Sequence, residues 1–493
     1  MDRPSQLALV TVGAALALGV LGDIALRAAP WGISVPLCAL GLTAAIVTLA
    51  RAARREMPRA VMLLGAIFVL TSLGFAWRAS ETLLVLDVAA LAGLLVLLAM
   101  RWHGVAPDAA GLLQYGQHTV DTVVHTGTGL PRLLARVPWS GLGTGRGRHL
   151  AQIGIGIVTA IPLLVLFGVL FADADPIFSD VMRRFVDVDP ATVLSHVAAT
   201  TWWAWLVGGF LWGLFLWRRE RAPRTPPRPV LAPAAVITTL GLLAALFLAF
   251  VVVQLRFLFG GRDLVLSTIG LTYAEYARRG FFQLVTAAGL TLPILIAANA
   301  QVPADGDVRG RQSVRALSVL LLGLLAIVLA SAVVRLRLYV AAYGLTEARF
   351  YAGAIMAWLV TTFVWFGFTV LRDRPARFAI GAIGAALVAL AVLFTVDPPA
   401  LVARHDLERA AAGQAFDAKY VASLGPDAVP ALVAHLERLA PEDQCTVAGR
   451  LLDTAHKIDA YDWRSWSVAT TRAAAALRRH RPGLETVTAA CTT

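Results

Sequence analysis

Eleven apolar runs of about 20 residues each restrict what this chain can fold into. An α-helix of that length crosses the ~30 Å hydrocarbon core of a bilayer. The sequence therefore predicts an all-α, polytopic membrane helix bundle of about 11 transmembrane helices with a small helical C-terminal extramembrane domain. The runs lie near residues 5–26, 31–50, 60–77, 82–100, 150–171, 197–217, 231–255, 281–300, 315–334, 350–371 and 377–396.

Composition supports this prediction and divides the chain into segments. Hydrophobic residues make up 58% of the sequence and charged residues 15%, which is too apolar for a soluble enzyme of 493 residues. We expect a four-helix transmembrane segment (1–100), a cytoplasmic basic loop (101–149), a seven-helix transmembrane core (150–396) and a helical tail (397–493). Within the basic loop, residues 130–137 suggest a short basic amphipathic helix on anionic lipid.

The net charge of +12 comes mainly from arginines in alternate connections between the apolar runs. If the N-terminus is cytoplasmic, the cytoplasmic segments hold most of these arginines, as the positive-inside rule requires. With eleven crossings the tail then lies outside the cytoplasm. The basic charge therefore indicates orientation in the membrane, and no nucleic-acid partner is expected.

A repeat marks two connections in the second half of the chain. Leu255-Arg256-Phe257 precedes Gly270-Leu271-Thr272, and Leu336-Arg337-Leu338 precedes Gly344-Leu345-Thr346. In each copy we expect a membrane helix to end at the Leu-Arg step and the next helix to begin at Gly-Leu-Thr. Thr272 with Glu275 reads as a capping box, and Thr346 caps in the same way although Arg349 replaces the acid.

Arginines and tyrosines surround both predicted caps. Helix N-termini and guanidinium groups attract anions, so these residues form a candidate site for a phosphate, a carboxylate or a lipid headgroup on the outer face. The alternative is arginines that extend to lipid headgroups and tyrosines of an interfacial aromatic belt. The candidate ligand-binding residues are Arg256, Tyr273, Arg278, Arg279, Arg337, Tyr343 and Arg349.

Acidic residues offer a second set of candidates. Asp173 and Asp175, in the connection after the fifth run, could act as catalytic base or metal ligands, or could simply solvate a turn-rich loop. Within the membrane runs, Asp23 stands four residues before Arg27, a stabilising spacing, and Asp87 is shallow enough to reach water or a partner arginine. No cofactor or metal site is predicted.

The tail contains two of the three cysteines. Cys445 and Cys491 could pair in an oxidising compartment, with two free thiols as the alternative. The tail's short helices, punctuated by Gly and Pro, are typical of modules used for contacts, so a protein partner is expected there.

Four stretches resemble a known family. Residues 254–261, GLTYAEYARRG at 270–280, LYVAAYGLT at 338–346 and SLGPDAVP at 423–430 are similar to an uncharacterised bacterial membrane family, domain of unknown function 4173, with its related 4153 group. The resemblance implies a bacterial cytoplasmic-membrane protein with many spans and a C-terminal extramembrane segment. His405-Asp406 departs from the family's tendency toward Tyr-Asn. The family brings no activity with it.

Three classes of function follow. The leading hypothesis is a non-enzymatic assembly, signalling or transport-associated component that recognises an anionic envelope ligand, such as an anionic lipid, or a partner on its outer face. The first alternative is a membrane enzyme that acts on a lipid-linked phospho- or glyco-substrate through Asp173 and Asp175. The second alternative is a secondary transporter, which would need broken helices and polar groups at the bilayer midplane.

Overall fold

The computed structural model describes residues 3–27, 29–137, 167, 171, 190–217, 231–259, 281–302 and 308–491. Several predictions fall outside these ranges. They are most of the fifth apolar run, the connection with Asp173 and Asp175, and the first Gly-Leu-Thr copy with Thr272, Tyr273, Glu275, Arg278 and Arg279.

The described part of the chain is helical and contains ten helices, or helix pairs, long and apolar enough to cross a membrane. They match ten of the eleven predicted runs, so the predicted membrane bundle is confirmed. Its helices are α1 Arg3–Leu26, α2 Ser34–Ala52, α3 Arg59–Ser72, α4 Gly74–Trp77, α5 Glu81–Trp102, α6 Leu112–Ala135, α7 Pro190–Phe215, α8 Pro233–Phe259, α9 Phe281–Ala300, α10 Val308–Tyr343, α11 Glu347–Thr369 and α12 Ala376–Val396.

Two helices run further than predicted. α8 and α10 continue through their Leu-Arg steps to Phe259 and Tyr343, so the expectation that these helices end at the step is wrong. In α10 the preceding Arg335 is buried and donates from Nη2 to Gln254 Oε1 of α8 at 3.0 Å. Gln254 supplies one hydrogen-bond acceptor to the guanidinium, and α10 continues past this buried charge.

The basic segment after α5 also differs from expectation. We predicted a short helix over 130–137 on the lipid surface, but α6 spans Leu112–Ala135 and packs against α7. At the crossing a Cβ placed on Gly129 would lie 2.8 Å from the Cα of Gly209, so only glycine permits this approach. α6 is therefore part of the packed bundle.

The tail forms its own helical domain, as predicted. Its helices are α13 Pro398–Ala411, α14 Ala418–Ala422, α15 Val429–His435, α16 Pro441–Asp459 and α17 Val468–Ala490, and their apolar faces share one core. Cys445 near the start of α16 and Cys491 after α17 form a disulfide, with their Cα atoms 5.9 Å apart. The sequence left open a disulfide or two free thiols, and the structure contains the disulfide.

The tail packs on one end of the bundle. The α1–α2, α4–α5 and α10–α11 connections all contact it, and we call this end the tail-docking end. In the first of these contacts, the amides of Gly32 and Ile33 donate to the carbonyls of Arg464 and Trp466, both at 2.9 Å. The α2–α3, α5–α6 and α11–α12 connections lie at the opposite end.

Candidate functional site at the tail-docking end

A buried arginine joins the bundle to the tail. Arg78 follows α4, and its Nε donates to the carbonyl of Phe394 at 2.9 Å. Its Nη1 forms ion pairs with the carboxylate of Asp397 and with Asp427 Oδ1, the latter at 3.3 Å. The amide of Ala79 donates to Asp427 Oδ2 at 2.8 Å. We call Arg78, Asp397 and Asp427 the Arg78 latch.

Local sequence places both carboxylates of the latch. Asp397 ends α12 in the left-handed region, with φ of 58°, and its side chain accepts from the amide of Ala400 as the N-cap of α13. Two prolines after Asp397 favour the start of α13 at this point. Asp427 lies in a short 3-10 turn of the tail, Pro426–Ala428, opposite Arg78.

The latch holds more negative than positive charge. Burial, followed by the charge of Asp397, raises the pKa of Asp427 to about 6 against the opposing effects of Ala79 and Arg78. The Asp427 side chain is only 2% exposed, so water screens these interactions poorly. With one guanidinium facing the buried Asp427 and the partly buried Asp397, Asp427 binds a proton more tightly in the docked state than an exposed aspartate does.

The second Gly-Leu-Thr connection is the other contact with the tail. The amide of Leu345 donates to Asp406 Oδ1 at 2.9 Å, and the amide of Glu347 donates to the hydroxyl of Tyr420 at 2.7 Å. Gly344 has φ of +79°, and a Cβ there would lie 2.9 Å from Asp406 Oδ1. Oxygen atoms of the tail therefore occupy the N-terminal region of α11, where we expected an external anion.

The predicted cap at Thr346 is confirmed. Its hydroxyl accepts from the amide of Arg349 at 3.4 Å. The side chain of Arg349 turns back to the end of α10, where Nη1 donates to the carbonyls of Tyr343 and Gly344 and the guanidinium stacks on the Tyr339 ring at 4.0 Å. Arg349 therefore stabilises the end of α10, and its predicted role in ligand binding stays a prediction.

Two other predicted ligand-binding residues, Arg337 and Tyr343, have exposed side chains. Arg337 is exposed and makes no hydrogen bond or ion pair with a described residue, and Tyr343 is 47% exposed. From the tail, Nη1 of Arg409 donates to the carbonyl of Ala341 at 2.8 Å, one helical turn after Arg337. Arg256 lies in α8, and its side chain is outside the described part of the structure.

The two aspartates within the membrane helices, Asp23 and Asp87, differ in their contacts. Asp23 pairs with Arg27 at 2.9 Å, as its spacing predicts, and also contacts His196 Nδ1 at 2.6 Å. Asp87 is completely buried, and neither of its carboxylate oxygens has a hydrogen-bond partner among the described residues. The expectation that Asp87 reaches water or an arginine is therefore wrong.

Sequence reasoning missed Arg78, Asp406, Tyr420 and Asp427. One signal was present, because Asp427 lies within the SLGPDAVP stretch of the family resemblance. Arg78 also stands directly after an apolar run, where it reads as an ordinary interfacial arginine. Among the described residues, no group of three or more His, Cys, Asp or Glu side chains is arranged to hold a metal ion.

Comparison with known proteins identifies a family but no activity. No curated protein and no solved structure matches the chain. The family model for a domain of unknown function, DUF4153, matches residues 65–435, which include the Arg78 latch, the second Gly-Leu-Thr connection and tail residues 397–435. The match is to the 4153 group, and the 4173 assignment is not supported. The chain is a multi-pass membrane protein that belongs to the DUF4153 family.

Proposed function

We propose that this protein is a non-enzymatic component of a bacterial cytoplasmic membrane that recognises a phosphate-bearing anionic ligand at its tail-docking end. The observation that carries the proposal is the exposed Arg337 near the end of α10, which makes no hydrogen bond or ion pair with a described residue. The half-buried Arg409 of the tail reaches the same part of α10, where its Nη1 donates to the carbonyl of Ala341, and the exposed Tyr343 adds a hydroxyl. An anion bound between them would connect the tail to the membrane helices.

The proposed orientation places the N-terminus in the cytoplasm and the tail outside. It is supported by the arginines at the end opposite to the tail. By the positive-inside rule, such a concentration marks the cytoplasmic side. These arginines are Arg51, Arg54, Arg55, Arg59, Arg101, Arg315, Arg372, Arg374 and Arg377.

The exposed side chains of Arg337 and Tyr343 favour a phosphate group as the ligand. A guanidinium forms charge-assisted hydrogen bonds with phosphate oxygens, and exposed tyrosine is suited to the headgroup region of a bilayer. α10 has 36 residues, so at ~1.5 Å per residue it is about 54 Å long and exceeds the hydrocarbon core. Its last turns therefore extend to the depth of lipid headgroups or beyond, where both anionic lipids and soluble phosphates are available.

Photocrosslinking tests the proposal. The full chain is placed in nanodiscs that contain an anionic phospholipid with a photoreactive headgroup, and crosslinked peptides are mapped by mass spectrometry. We expect crosslinks in the peptides that contain Tyr343 and Arg409, and strong loss of both in Arg337→Gln. Soluble glycerol phosphate competes with the crosslinks if a free phosphate is the ligand and leaves them unchanged if a lipid is.

The matched control is Arg315→Gln, because Arg315 lies near the other end of the same helix, with its side chain 51% exposed. This variant should keep the crosslinks at Tyr343 and Arg409. Equal crosslinking in wild type and Arg337→Gln, or crosslinks spread evenly around the bundle, would contradict the proposed recognition.

A further inference from the structure

Asp87 is the least explained charged group in the described part of the protein. It lies on α5 six residues after Glu81, about 9 Å along the helix axis, and is fully buried. An ideal Cβ on Gly74 would lie 2.6 Å from Asp87 Oδ2, so the carboxyl group is held directly against the backbone of α4. Phe394 of α12 packs against Gly74 at the same place.

Neither carboxylate oxygen of Asp87 has a hydrogen-bond partner among the described residues. An ionised carboxylate in such surroundings is strongly unfavourable, and a buried acid avoids the cost by keeping its proton. Asp23 is the contrasting case, since Arg27 and His196 both contact its carboxylate. The difference in partners therefore predicts a difference in protonation state between the two aspartates.

The surroundings of Asp87 connect it to the Arg78 latch. The carbonyl of Gly74 accepts from the amide of Arg78, and the carbonyl of Phe394 accepts from its Nε. Both residues that enclose the Asp87 carboxyl group are thus hydrogen-bonded to the latch arginine. A negative charge on Asp87 would attract the guanidinium away from the two carboxylates that hold the tail.

We propose that Asp87 is a proton-binding site of the membrane bundle, and that its bound proton leaves Arg78 committed to Asp397 and Asp427. The ligand is the proton, and its release would weaken the attachment of the tail. This inference does not depend on the phosphate-bearing ligand proposed above. The nearest charged and titratable groups that the structure connects to this region are those in contact with Arg78 and with Ser80, namely Asp397, Asp427, Glu347 and Tyr351.

Infrared difference spectroscopy of the full chain in nanodiscs tests the inference. At neutral pH, the spectrum of wild type minus Asp87→Asn should contain the carbonyl band of a protonated carboxylic acid, and this band should shift in heavy water. Asp23→Asn is the matched control and should give carboxylate bands only. Carboxylate bands alone in the Asp87→Asn difference would overturn the proposal.

A second measurement needs no substitution and so does not depend on how the variants fold. Solid-state NMR of wild type labelled with ¹³C-aspartate should show a protonated carboxyl carbon at neutral pH in a residue buried in the bundle. Its signal should persist when the pH is raised until the tail detaches. If all aspartates within the membrane helices titrate as exposed carboxylates do, Asp87 is not a proton-binding site.

Discussion

The two ends of the bundle are held together by different means. At the tail-docking end, a buried guanidinium and two carboxylates attach the tail to the bundle. At the opposite end, α6 packs on α7 through glycines, and the ring centroids of His125 and Trp217 lie 4.3 Å apart with the rings tilted by 47°. Charged contacts specify one partner geometry and respond to pH, whereas close packing tolerates neither added volume nor a shifted helix.

The histidines at the opposite end do not make that end sensitive to mild changes of pH. Burial, with a smaller effect of His118, lowers the pKa of His103 to about 4, so this imidazole is neutral at physiological pH. His103, His118 and His125 line a small cavity of about 20 Å³ with Asp121 and Trp217. We therefore expect mild pH changes to act at the tail-docking end through Asp427 and not at the opposite end through His103.

The largest expected effect comes from removing the latch arginine. Arg78→Met leaves the buried Asp427 and the partly buried Asp397 without their cation and should cost about 3–5 kcal/mol of docking free energy. Chemical denaturation followed by limited proteolysis of the tail measures it. Asp427→Asn, which leaves a single ion pair with Asp397, should cost much less. Equal effects of the two substitutions would show that the ion pairs do not hold the tail.

The second effect is a pH dependence with a defined sign. Asp427 has a pKa of about 6 when docked, against 3.8 for an unperturbed aspartate. The docked state binds the proton more tightly, so docking is strongest below pH ~4 and weakens as the pH rises through about 6. The full shift corresponds to roughly 3 kcal/mol. Proteolytic release of the tail at pH 5 and pH 7.5 measures the change, and Asp427→Asn should largely remove it.

The third effect tests the close packing of α6 on α7 at the opposite end. Gly209→Ala adds a methyl group that would overlap the carbonyls of His125 and Thr126 in α6. Overpacking of this kind typically costs about 1–3 kcal/mol, and more where only backbone atoms can give way. Thermal unfolding in detergent measures the loss, which should be independent of pH between 5 and 7.5. Gly241→Ala is the control, because a Cβ at Gly241 meets no atom within 4 Å.

The smallest effect concerns the second Gly-Leu-Thr connection. Gly344→Ala places a side chain at φ of +79° and against Asp406, and should weaken docking by about 1 kcal/mol. Gly413→Ala, with φ of +73° and no atom within 4 Å of the added Cβ, separates backbone strain from the clash. If both substitutions loosen the tail equally, the contact between Asp406 and the connection contributes nothing to docking.

Patterns within a single helix were predictable from the sequence. The apolar runs, the Thr346 cap and the Asp23–Arg27 pair depend on residues a few positions apart, and the structure confirms them. Contacts between distant segments were not predictable. Arg78 and Asp427 are 349 residues apart, and nothing in either neighbourhood indicates the other.

Contacts of the second Gly-Leu-Thr region were also not predictable from its sequence. Arg349, which was predicted to bind an anion, donates to the carbonyls of Tyr343 and Gly344. The Leu-Arg step of α10 was interpreted as a helix end, but α10 continues to Tyr343. Neighbouring Arg335 is buried and donates to Gln254 of another helix, a contact that neither local sequence indicates.

Hydrogen exchange at the α10–α11 connection tests the central claim, attachment of the tail through the latch, most directly. The amides of Leu345 and Glu347 are covered by Asp406 and Tyr420 of the tail, and Arg78 makes no hydrogen bond to either amide. We predict slow exchange in the wild-type peptide covering residues 344–350 and fast exchange in Arg78→Met. Slow exchange in both proteins would show that the tail stays docked without the latch, and fast exchange in wild type would show that the tail does not cover this connection.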